Sequence, residues 1–123
     1  YLGFDDLIIV CVALAVLIGH IYPIFYKFRG GKGVATAIGI LIALNFKLAL
    51  IVLSIWLIVF GIWRYSSLAA IVAAISAPFF GIFIFGDQAL YCMAYSLITI
   101  IILFKHQANI KKLLSGTELK FKK

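Results

Sequence analysis

Apolar residues occur along this chain in five runs that are separated by short polar breaks. A membrane-spanning helix needs roughly 20 apolar residues, with a usual range of about 17–25. The pattern therefore predicts five helical segments, of which the second is short for a full span. Their approximate bounds are residues 7–18, 34–44, 48–63, 68–85 and 89–104.

Composition fixes the solvent in which these segments lie. Of the 123 residues, 66% are hydrophobic and only 12% are charged, and the mean hydropathy is +1.21. A soluble domain carries about a quarter charged residues, and a chain this apolar cannot cover its own surface with polar groups. We therefore predict an all-α membrane protein, built as a helical transmembrane bundle.

The short second segment is rich in small residues. Small side chains let helices approach closely inside a membrane, so we expect this segment to lie within the bundle and not to face lipid. The small residues are Ala35, Thr36, Ala37, Gly39 and Ala43.

The charged residues in the breaks predict the topology. If the segments alternate across the membrane, ten of the eleven basic residues fall on one face, which the positive-inside rule makes cytoplasmic. The tail after Phe104 is too polar to span and is expected to form a short cytoplasmic helix at the interface. The net charge of +7 then indicates anionic headgroups and phosphorylated substrates rather than nucleic acid. The ten basic residues are Lys27, Arg29, Lys32, Arg64, Lys105, Lys111, Lys112, Lys120, Lys122 and Lys123.

A glycine-rich loop on this face has the chemistry of a phosphate site. Gly30, Gly31 and Gly33 surround Lys32, and bare backbone can turn its N–H groups inward to form an anion nest. A helix is predicted to begin directly after the loop, so its positive dipole end faces the same point. Lys32 adds a full charge, and Thr36 can add a hydroxyl.

The same loop has two other interpretations, a nucleotide-binding loop and an interfacial turn. It is not a nucleotide-binding Walker A loop, because Tyr26 stands where the first glycine belongs and Gly33 follows the lysine. The alternative that the loop alone leaves open is a flexible interfacial turn, with the Lys32 side chain extended toward the headgroups.

Two further polar stretches lie on the same face. Arg64, Ser66 and Ser67 offer a guanidinium and two hydroxyls, or alternatively a membrane anchor and a serine N-cap for the next helix. His106 and Asn109 are three residues apart, so they share one face of a helical turn and can orient a polar substrate. The two histidines of the sequence are far apart and form no metal-ligand motif.

Three stretches resemble the signatures of one enzyme family. They read GHIYPIFYKFRGGKGVAT at 19–36, YSSL at 65–68 and HQANIKKLLSGTELK at 106–120. In this order and spacing they are similar to the bacterial membrane glycerol-3-phosphate acyltransferases that use acyl phosphate as donor. The resemblance covers most of the chain.

The resemblance implies a multi-pass enzyme of phospholipid synthesis in the bacterial inner (cytoplasmic) membrane, with its active site and C-terminus in the cytoplasm. Such an enzyme transfers a fatty acyl group from acyl phosphate to the 1-hydroxyl of glycerol 3-phosphate, giving lysophosphatidic acid and phosphate. The family uses no cofactor and no metal. The implied partners are glycerol 3-phosphate, acyl phosphate and membrane lipids, with no nucleic acid; the oligomeric state is not determined, and a monomer is compatible with the sequence.

The resemblance also assigns roles to residues. His106 and Asn109 match the motif histidine and asparagine of the family and are the predicted catalytic residues. His106 is expected either to accept the hydroxyl proton or to hydrogen-bond the substrate, with Asn109 orienting it. Glu118 matches the motif glutamate and is expected to be structural, pairing with a nearby Lys or Arg. His20 and Arg64 are expected to be structural at the site. The predicted substrate- and phosphate-binding residues are Gly30, Gly31, Lys32, Gly33, Thr36, Ser66 and Ser67.

One family signature has no match here. The family has an earlier loop rich in Ser, Gly and Asn that carries an Arg, and nothing in residues 1–18 resembles it. We therefore expect residues 1–123 to form a single transmembrane acyltransferase domain that corresponds to the last five of seven helices. The competing hypothesis is a non-catalytic transporter or lipid-binding scaffold, which explains the segments and the basic face but not the polar residues gathered at one end.

Overall fold

The computed structural model describes residues 5–21, 34–86 and 88–120, without the side chains of His20 and Ile21. Within these residues the chain forms six α-helices and no strand. The first five agree with the predicted segments to within a few residues, and the sixth is the predicted helix of the tail. The helices are α1 (Asp6–Ile21), α2 (Val34–Leu44), α3 (Phe46–Trp63), α4 (Ser66–Phe83), α5 (Ala89–Lys105) and α6 (Gln107–Ser115).

Five of these helices form a ring. Each helix from α1 to α4 contacts the next in sequence, and α5 returns to contact α1. At one end of the bundle the Tyr91 hydroxyl donates to Asp6 Oδ1 at 2.8 Å, which joins α5 to α1. At the other end α6 turns away from α5 by 61° and packs on α4 and α5. Of the stretches predicted to carry chemistry, those at 65–68 and 106–120 lie at this second end, and residues 22–33 of the first lie outside the described residues.

On α4, small residues lie inside the bundle and large apolar residues lie outside. Its buried face is made of alanines, serines and Gly81, whereas Ile75, Phe79 and Phe83 are each more than half exposed. Large exposed apolar side chains in this number are unfavourable in water and are favourable against lipid. The distribution agrees with the predicted membrane bundle.

Helix length sets how many segments can cross the membrane. Among the described residues, α3 and α4 are 18 residues long and apolar enough to span, and α5 with α6 is a third candidate if the bent pair counts as one span. α1 and α2 are shorter apolar helices. These helices describe a multi-pass membrane protein, and they confirm that the second segment is short.

The short breaks between helices have specific ends. Asn45 separates α2 from α3, and its Oδ1 accepts a hydrogen bond from the Leu48 N–H at 3.1 Å, which makes it the N-cap of α3. α3 ends at Arg64, whose backbone is left-handed at φ 63°. Tyr65 is the N-cap of α4 and makes no side-chain capping bond. The alternative in which Ser66 or Ser67 caps α4 is therefore wrong, since both lie inside the first turn.

The expectation that α2 lies within the bundle is also wrong for the described structure. Ala37, Ile40 and Leu41 are buried, but Gly39 and Ala43 are exposed. A Cβ atom added to Gly39 would meet nothing within 4 Å. The small residues of α2 therefore border an open groove next to α1 and do not close a tight helix contact.

Candidate active site

The centre of the candidate site is the carboxylate of Glu118, just beyond the end of α6. Its Oε2 accepts a hydrogen bond from Ser67 Oγ at 2.6 Å and one from Asn109 Nδ2 at 2.6 Å. Ser67 is buried in the first turn of α4, and Asn109 lies in α6. We call Ser67, Asn109 and Glu118 the Glu118 network. It joins residues of two motifs, Ser67 of the 65–68 stretch with Asn109 and Glu118 of the 106–120 stretch.

The turn that ends α6 brings Glu118 back to α4. Gly116 has a φ of 76°, a left-handed conformation that glycine adopts without steric cost. Its N–H bonds to Leu113 O, and the Thr117 N–H bonds to Lys112 O, as in a Schellman helix end. The chain then reverses direction, which brings the residues after Gly116 against the start of α4.

A second contact fastens the same segment. Lys120 Nζ lies 5.8 Å from the centroid of the Tyr65 ring, within the range of a cation–π interaction. Tyr65 directly precedes the first turn of α4, where Ser67 lies. Glu118 and Lys120 therefore hold the tail to α4 at two neighbouring points.

The hydrogen bonds determine the charge of Glu118. The donors Ser67 and then Asn109 lower the pKa of its carboxyl from the usual 4.5, and they outweigh the opposing effect of desolvation. Glu118 is therefore ionised at neutral pH. Among the described residues the predicted pairing with a Lys or Arg is not found: the carboxylate bonds to two neutral donors, and Lys112 adds only a minor coulombic contribution to the lowered pKa.

His106 occupies the junction at which α5 ends and α6 begins, and only 3% of its surface is exposed. Its Nδ1 lies 2.8 Å from Ile102 O. A carbonyl oxygen can only accept, so this bond assigns the proton of the neutral ring to Nδ1 and makes Nε2 the basic nitrogen. The backbone at His106 also caps both helices, since its N–H bonds to Ile102 O and its carbonyl accepts from Ile110 N.

The remaining predicted residues divide into three groups. Ser66 is exposed and Arg64 half-buried, and both adjoin Ser67 at the start of α4. Thr36 is half-buried on α2, apart from the bonds of the Glu118 network. Gly30, Gly31, Lys32, Gly33 and the side chain of His20 lie outside the described residues.

Thr36 lies on an open groove between α1 and α2 with a volume of about 620 Å³. The groove extends along α2 from Thr36 to Leu44, and among the described lining residues Thr36 is the one that carries a hydroxyl. Gly39 forms part of its floor, where the missing side chain leaves space. The other lining residues are Ile8, Ile9, Val12, Ala13, Val16, Ile40 and Ala43.

Sequence reasoning assigned no role to Tyr65, Gly116 or Lys120. The sequence did contain a signal for Gly116 and Lys120. Glu118 lies two residues after Gly116 and two residues before Lys120, and alternate residues of an extended segment point to the same side. The partner of Lys120 carried no comparable signal, because Tyr65 is 55 residues away in the sequence. In the part of the chain that the structure describes, no three His, Cys, Asp or Glu side chains form a group that could hold a metal ion.

Comparisons with known proteins agree on one family. A profile described as glycerol-3-phosphate acyltransferase matches residues 1–116. The glycerol-3-phosphate acyltransferase of Burkholderia ambifaria is 46% identical over 119 residues, which are 96% of this chain and 56% of that protein. The enzyme of the same name from Ralstonia nicotianae is 47% identical over 116 residues, covering 94% and 56%.

Two crystal structures show the same fold. They are of PlsY (YgiH), an integral membrane glycerol 3-phosphate acyltransferase, in its glycerol 3-phosphate form and its lysophosphatidic acid form. Each is 42% identical to this chain, with TM-scores of 0.84 and 0.85 over 89% of it. The match covers 54% and 55% of those chains, and this chain likewise spans about half the length of the curated relatives it matches. On the family profile, the sequence identity and the shared helical membrane fold, the chain belongs to the glycerol-3-phosphate acyltransferase family.

Proposed function

We propose that the full-length protein transfers a fatty acyl group from acyl phosphate to the 1-hydroxyl of glycerol 3-phosphate, giving lysophosphatidic acid and inorganic phosphate. The observation that carries the proposal is the Glu118 network, which gathers residues of two family signatures at the end of the bundle where His106 lies. Related crystal structures in a glycerol 3-phosphate form and a lysophosphatidic acid form support the substrate and the product.

His106 is proposed as the general base. Its Nδ1 proton is held by Ile102 O, so Nε2 can accept the proton of the 1-hydroxyl as that oxygen bonds to the acyl carbon. The bond from the acyl carbon to the phosphate oxygen then breaks, and phosphate leaves with the electron pair. Acyl phosphate is already activated, so positioning and charge stabilisation are sufficient and no cofactor or metal is required.

Asn109 is proposed to orient the hydroxyl or the histidine. Its Nδ2 donates to Glu118, which fixes the direction of the whole amide. Glu118 is itself held by Ser67 on α4, so the orientation of Asn109 depends on a second helix. Glu118 is therefore proposed as a structural residue of the site that acts through the neutral donors Ser67 and Asn109.

Phosphate binding is proposed for the glycine-rich loop, and this part of the proposal rests on sequence. Gly30, Gly31, Lys32 and Gly33 directly precede α2, whose N-terminal dipole favours an anion at the same place. Thr36, Ser66 and Ser67 are proposed to add hydroxyl groups.

Lys32→Ala tests the phosphate assignment. The KM for glycerol 3-phosphate is expected to rise at least tenfold, on the order of the loss of one charge-assisted hydrogen bond. An unchanged KM would remove Lys32 from the phosphate site.

The groove between α1 and α2 is proposed to hold the acyl chain of the donor. It is apolar along its length and begins at Thr36, three residues beyond the glycine-rich loop. From Thr36 to Leu44 the helix rises about 12 Å, enough for roughly half of a long acyl chain. A donor with its phosphate at the loop and its chain in this groove would meet glycerol 3-phosphate at the membrane surface.

The site is proposed to face the cytoplasm of a bacterial inner membrane. Under the predicted alternation, ten of the eleven basic residues lie on the face that carries the site. A membrane-impermeant thiol reagent tests this in intact cells that express the full-length protein with Cys11 and Cys92 replaced and one cysteine at Ala108. Protection until the cells are opened is expected, and labelling of intact cells would reverse the orientation.

The decisive test measures phosphate release from acyl phosphate, with and without glycerol 3-phosphate, in membranes that contain the full-length protein. Release that depends on glycerol 3-phosphate is expected. His106→Ala should lower kcat at least a hundredfold, on the order expected for a general base, and Gln107→Ala, at an exposed neighbour in α6, is the matched control.

His106→Gln separates the two possible roles of the histidine. Gln can donate and accept hydrogen bonds but cannot take up the proton, so kcat should stay as low as in His106→Ala. Recovery to near wild-type kcat would make His106 a substrate-binding residue only. Membranes that bind lipid but release no phosphate would instead support the non-catalytic scaffold.

A further inference from the structure

Pro78 lies in the interior of α4, five residues before its end. A proline has no backbone N–H, so the carbonyl four residues earlier loses the partner it would have in a regular helix. That carbonyl belongs to Ala74, which is buried. In a membrane protein such a freed carbonyl is satisfied by a neighbouring helix or a hydroxyl side chain.

Thr99 of α5 supplies the hydroxyl. Its Oγ1 donates to Ala74 O at 2.6 Å, and 8% of the Thr99 surface is exposed. The bond requires a close approach of the two helices, which the small side chains of the buried α4 face permit. Pro78 and Thr99 therefore form one unit, in which the proline frees an acceptor and the threonine of the next helix occupies it.

The bond between Thr99 and Ala74 is equally far along the helices from two residues of the candidate site, Ser67 and His106. Ala74 follows Ser67 by seven residues along α4, and Thr99 precedes His106 by seven residues along α5. Seven helical residues correspond to about 10 Å. The chain enters α4 and leaves α5 at the end that carries the site, so the bond joins the helix bearing Ser67 to the helix bearing His106 two turns beneath them.

We propose that Thr99 is a positioning residue, whose hydrogen bond to the carbonyl freed by Pro78 holds α4 and α5 in the register that sets His106 against the Glu118 network. The inference rests on the proposed acyl transfer. Without the bond, α4 and α5 can shift relative to each other, because the described residues that pack around it, Ala74, Ile98 and Ile102, make non-directional apolar contacts. Displacements of about 1 Å far from the chemistry can cost about a hundredfold in rate.

The experiment separates two effects of removing the Thr99 hydroxyl. One is the loss of the link between α4 and α5, and the other is an Ala74 carbonyl left without a hydrogen bond. In the full-length protein, Thr99→Val keeps the shape of the side chain, removes the link and leaves Ala74 O without the hydroxyl. Pro78→Ala returns an N–H partner to Ala74 O, so Pro78→Ala with Thr99→Val removes the link alone. We expect kcat to fall about tenfold in both Thr99→Val backgrounds, each relative to its own parent, with less than a twofold change in the KM for glycerol 3-phosphate.

Two further variants act as controls. Thr99→Ser keeps the hydroxyl and should retain near wild-type kcat. Ser76→Ala removes a buried hydroxyl of α4 whose 2.6 Å bond to Ala73 O stays within the helix, and it should leave kcat unchanged. If Thr99→Val does not fold, the comparison of Pro78→Ala with the double variant Pro78→Ala, Thr99→Val tests whether the link sets kcat. A double variant with the kcat of Pro78→Ala would overturn the proposal and leave Thr99 a stabilising residue only.

A measurement independent of activity tests the register if acyl transfer itself is not observed. Spin labels are placed at Ser66 and Gln107, which are exposed at the starts of α4 and α6. The cysteines Cys11 and Cys92 are replaced first. Thr99→Val should broaden or shift the distance distribution between the labels, and Ser76→Ala should not. An unaltered distribution in Thr99→Val would overturn the proposed register, whatever the reaction.

Discussion

At the residue scale, the carboxylate of Glu118 is the clearest case of a side chain defined by its partners. Two neutral donors at 2.6 Å satisfy the same oxygen, one from α4 and one from α6. Because these bonds favour the charged form, the pKa of Glu118 is lowered and the carboxylate persists into mild acid. Glu118 thus connects the conformation of the tail to that of Ser67 and Asn109.

Stability should follow the protonation of Glu118. A carboxyl whose pKa is lowered on folding contributes stability that is fully present above its unfolded pKa, here 4.5, and is lost as the pH falls through the lower folded value. The thermal midpoint of the full-length protein should therefore fall below about pH 4.5. Glu118→Gln should have a lower midpoint at pH 7 and a flatter profile below pH 4.5, and two parallel profiles would contradict the assignment.

At the element scale, three of the breaks between helices are only one or two residues long, at Asn45, at Arg64 and Tyr65, and at His106, and each has a specific end structure. Asn45 alone divides α2 from α3, and a left-handed Arg64 precedes the N-cap Tyr65 between α3 and α4. Such short connections keep consecutive helices adjacent and limit how they can pack against each other. The end structures therefore set the shape of the bundle as well as the helix limits.

Asn45→Ala should destabilise the bundle without affecting the site. Loss of the N-cap bond to Leu48 costs about 1 kcal/mol, or about 3 °C in the thermal midpoint. Asn45 lies at the end of α3 opposite to Arg64, so kcat should not change. Asn45→Asp keeps the acceptor and is the matched control; an equal loss in both variants would show that the cap bond is not the cause.

Gly116→Ala should disturb the tail through its backbone alone. A Cβ atom there would meet nothing within 4 Å, but the φ of 76° is unfavourable for alanine by about 1 kcal/mol. We expect the turn to open, the Glu118 network to weaken and kcat to fall several-fold. Gly61→Ala, at an equally open position inside α3, should cause no such loss; equal effects would place the cause in side-chain bulk.

At the scale of the whole molecule, the bundle is closed tightly on one side and open on the other. α4 packs against α3 and α5 through its small buried residues, whereas α1 and α2 border the groove of about 620 Å³. The closed side carries the Glu118 network, and the open side begins next to the glycine-rich loop. This asymmetry fits an enzyme that joins a water-soluble phosphate to a lipid-soluble donor.

Gly39→Leu should fill the groove and change the preference for acyl-chain length. The new side chain would project into open space, so the fold should be retained. The rate with long-chain acyl phosphates should fall about tenfold, with little change for short chains. Gly61→Leu, on the exposed face of α3, should alter neither rate, and an equal loss for all chain lengths in Gly39→Leu would place the acyl chain elsewhere.

The sequence by itself determined the helical segments, the membrane environment, the family and most residues of the site. These are local properties, because each apolar run and each motif is read from neighbouring residues. His106, Asn109, Ser67 and Glu118 were all named from the sequence, and the limits of the five segments agreed with the structure to within a few residues.

Only the tertiary structure decided which of these residues meet. Ser67 and Glu118 are 51 residues apart in the chain, and Thr99 reaches the carbonyl of Ala74 from another helix. The hydrophobic periodicity of the sequence does not predict such contacts. They depend on how two helices approach each other and on which backbone carbonyl a proline leaves without a partner. The small residues of α2 show the same limit, since their pattern permits either a close contact or an open groove, and the packing of α1 produced the groove.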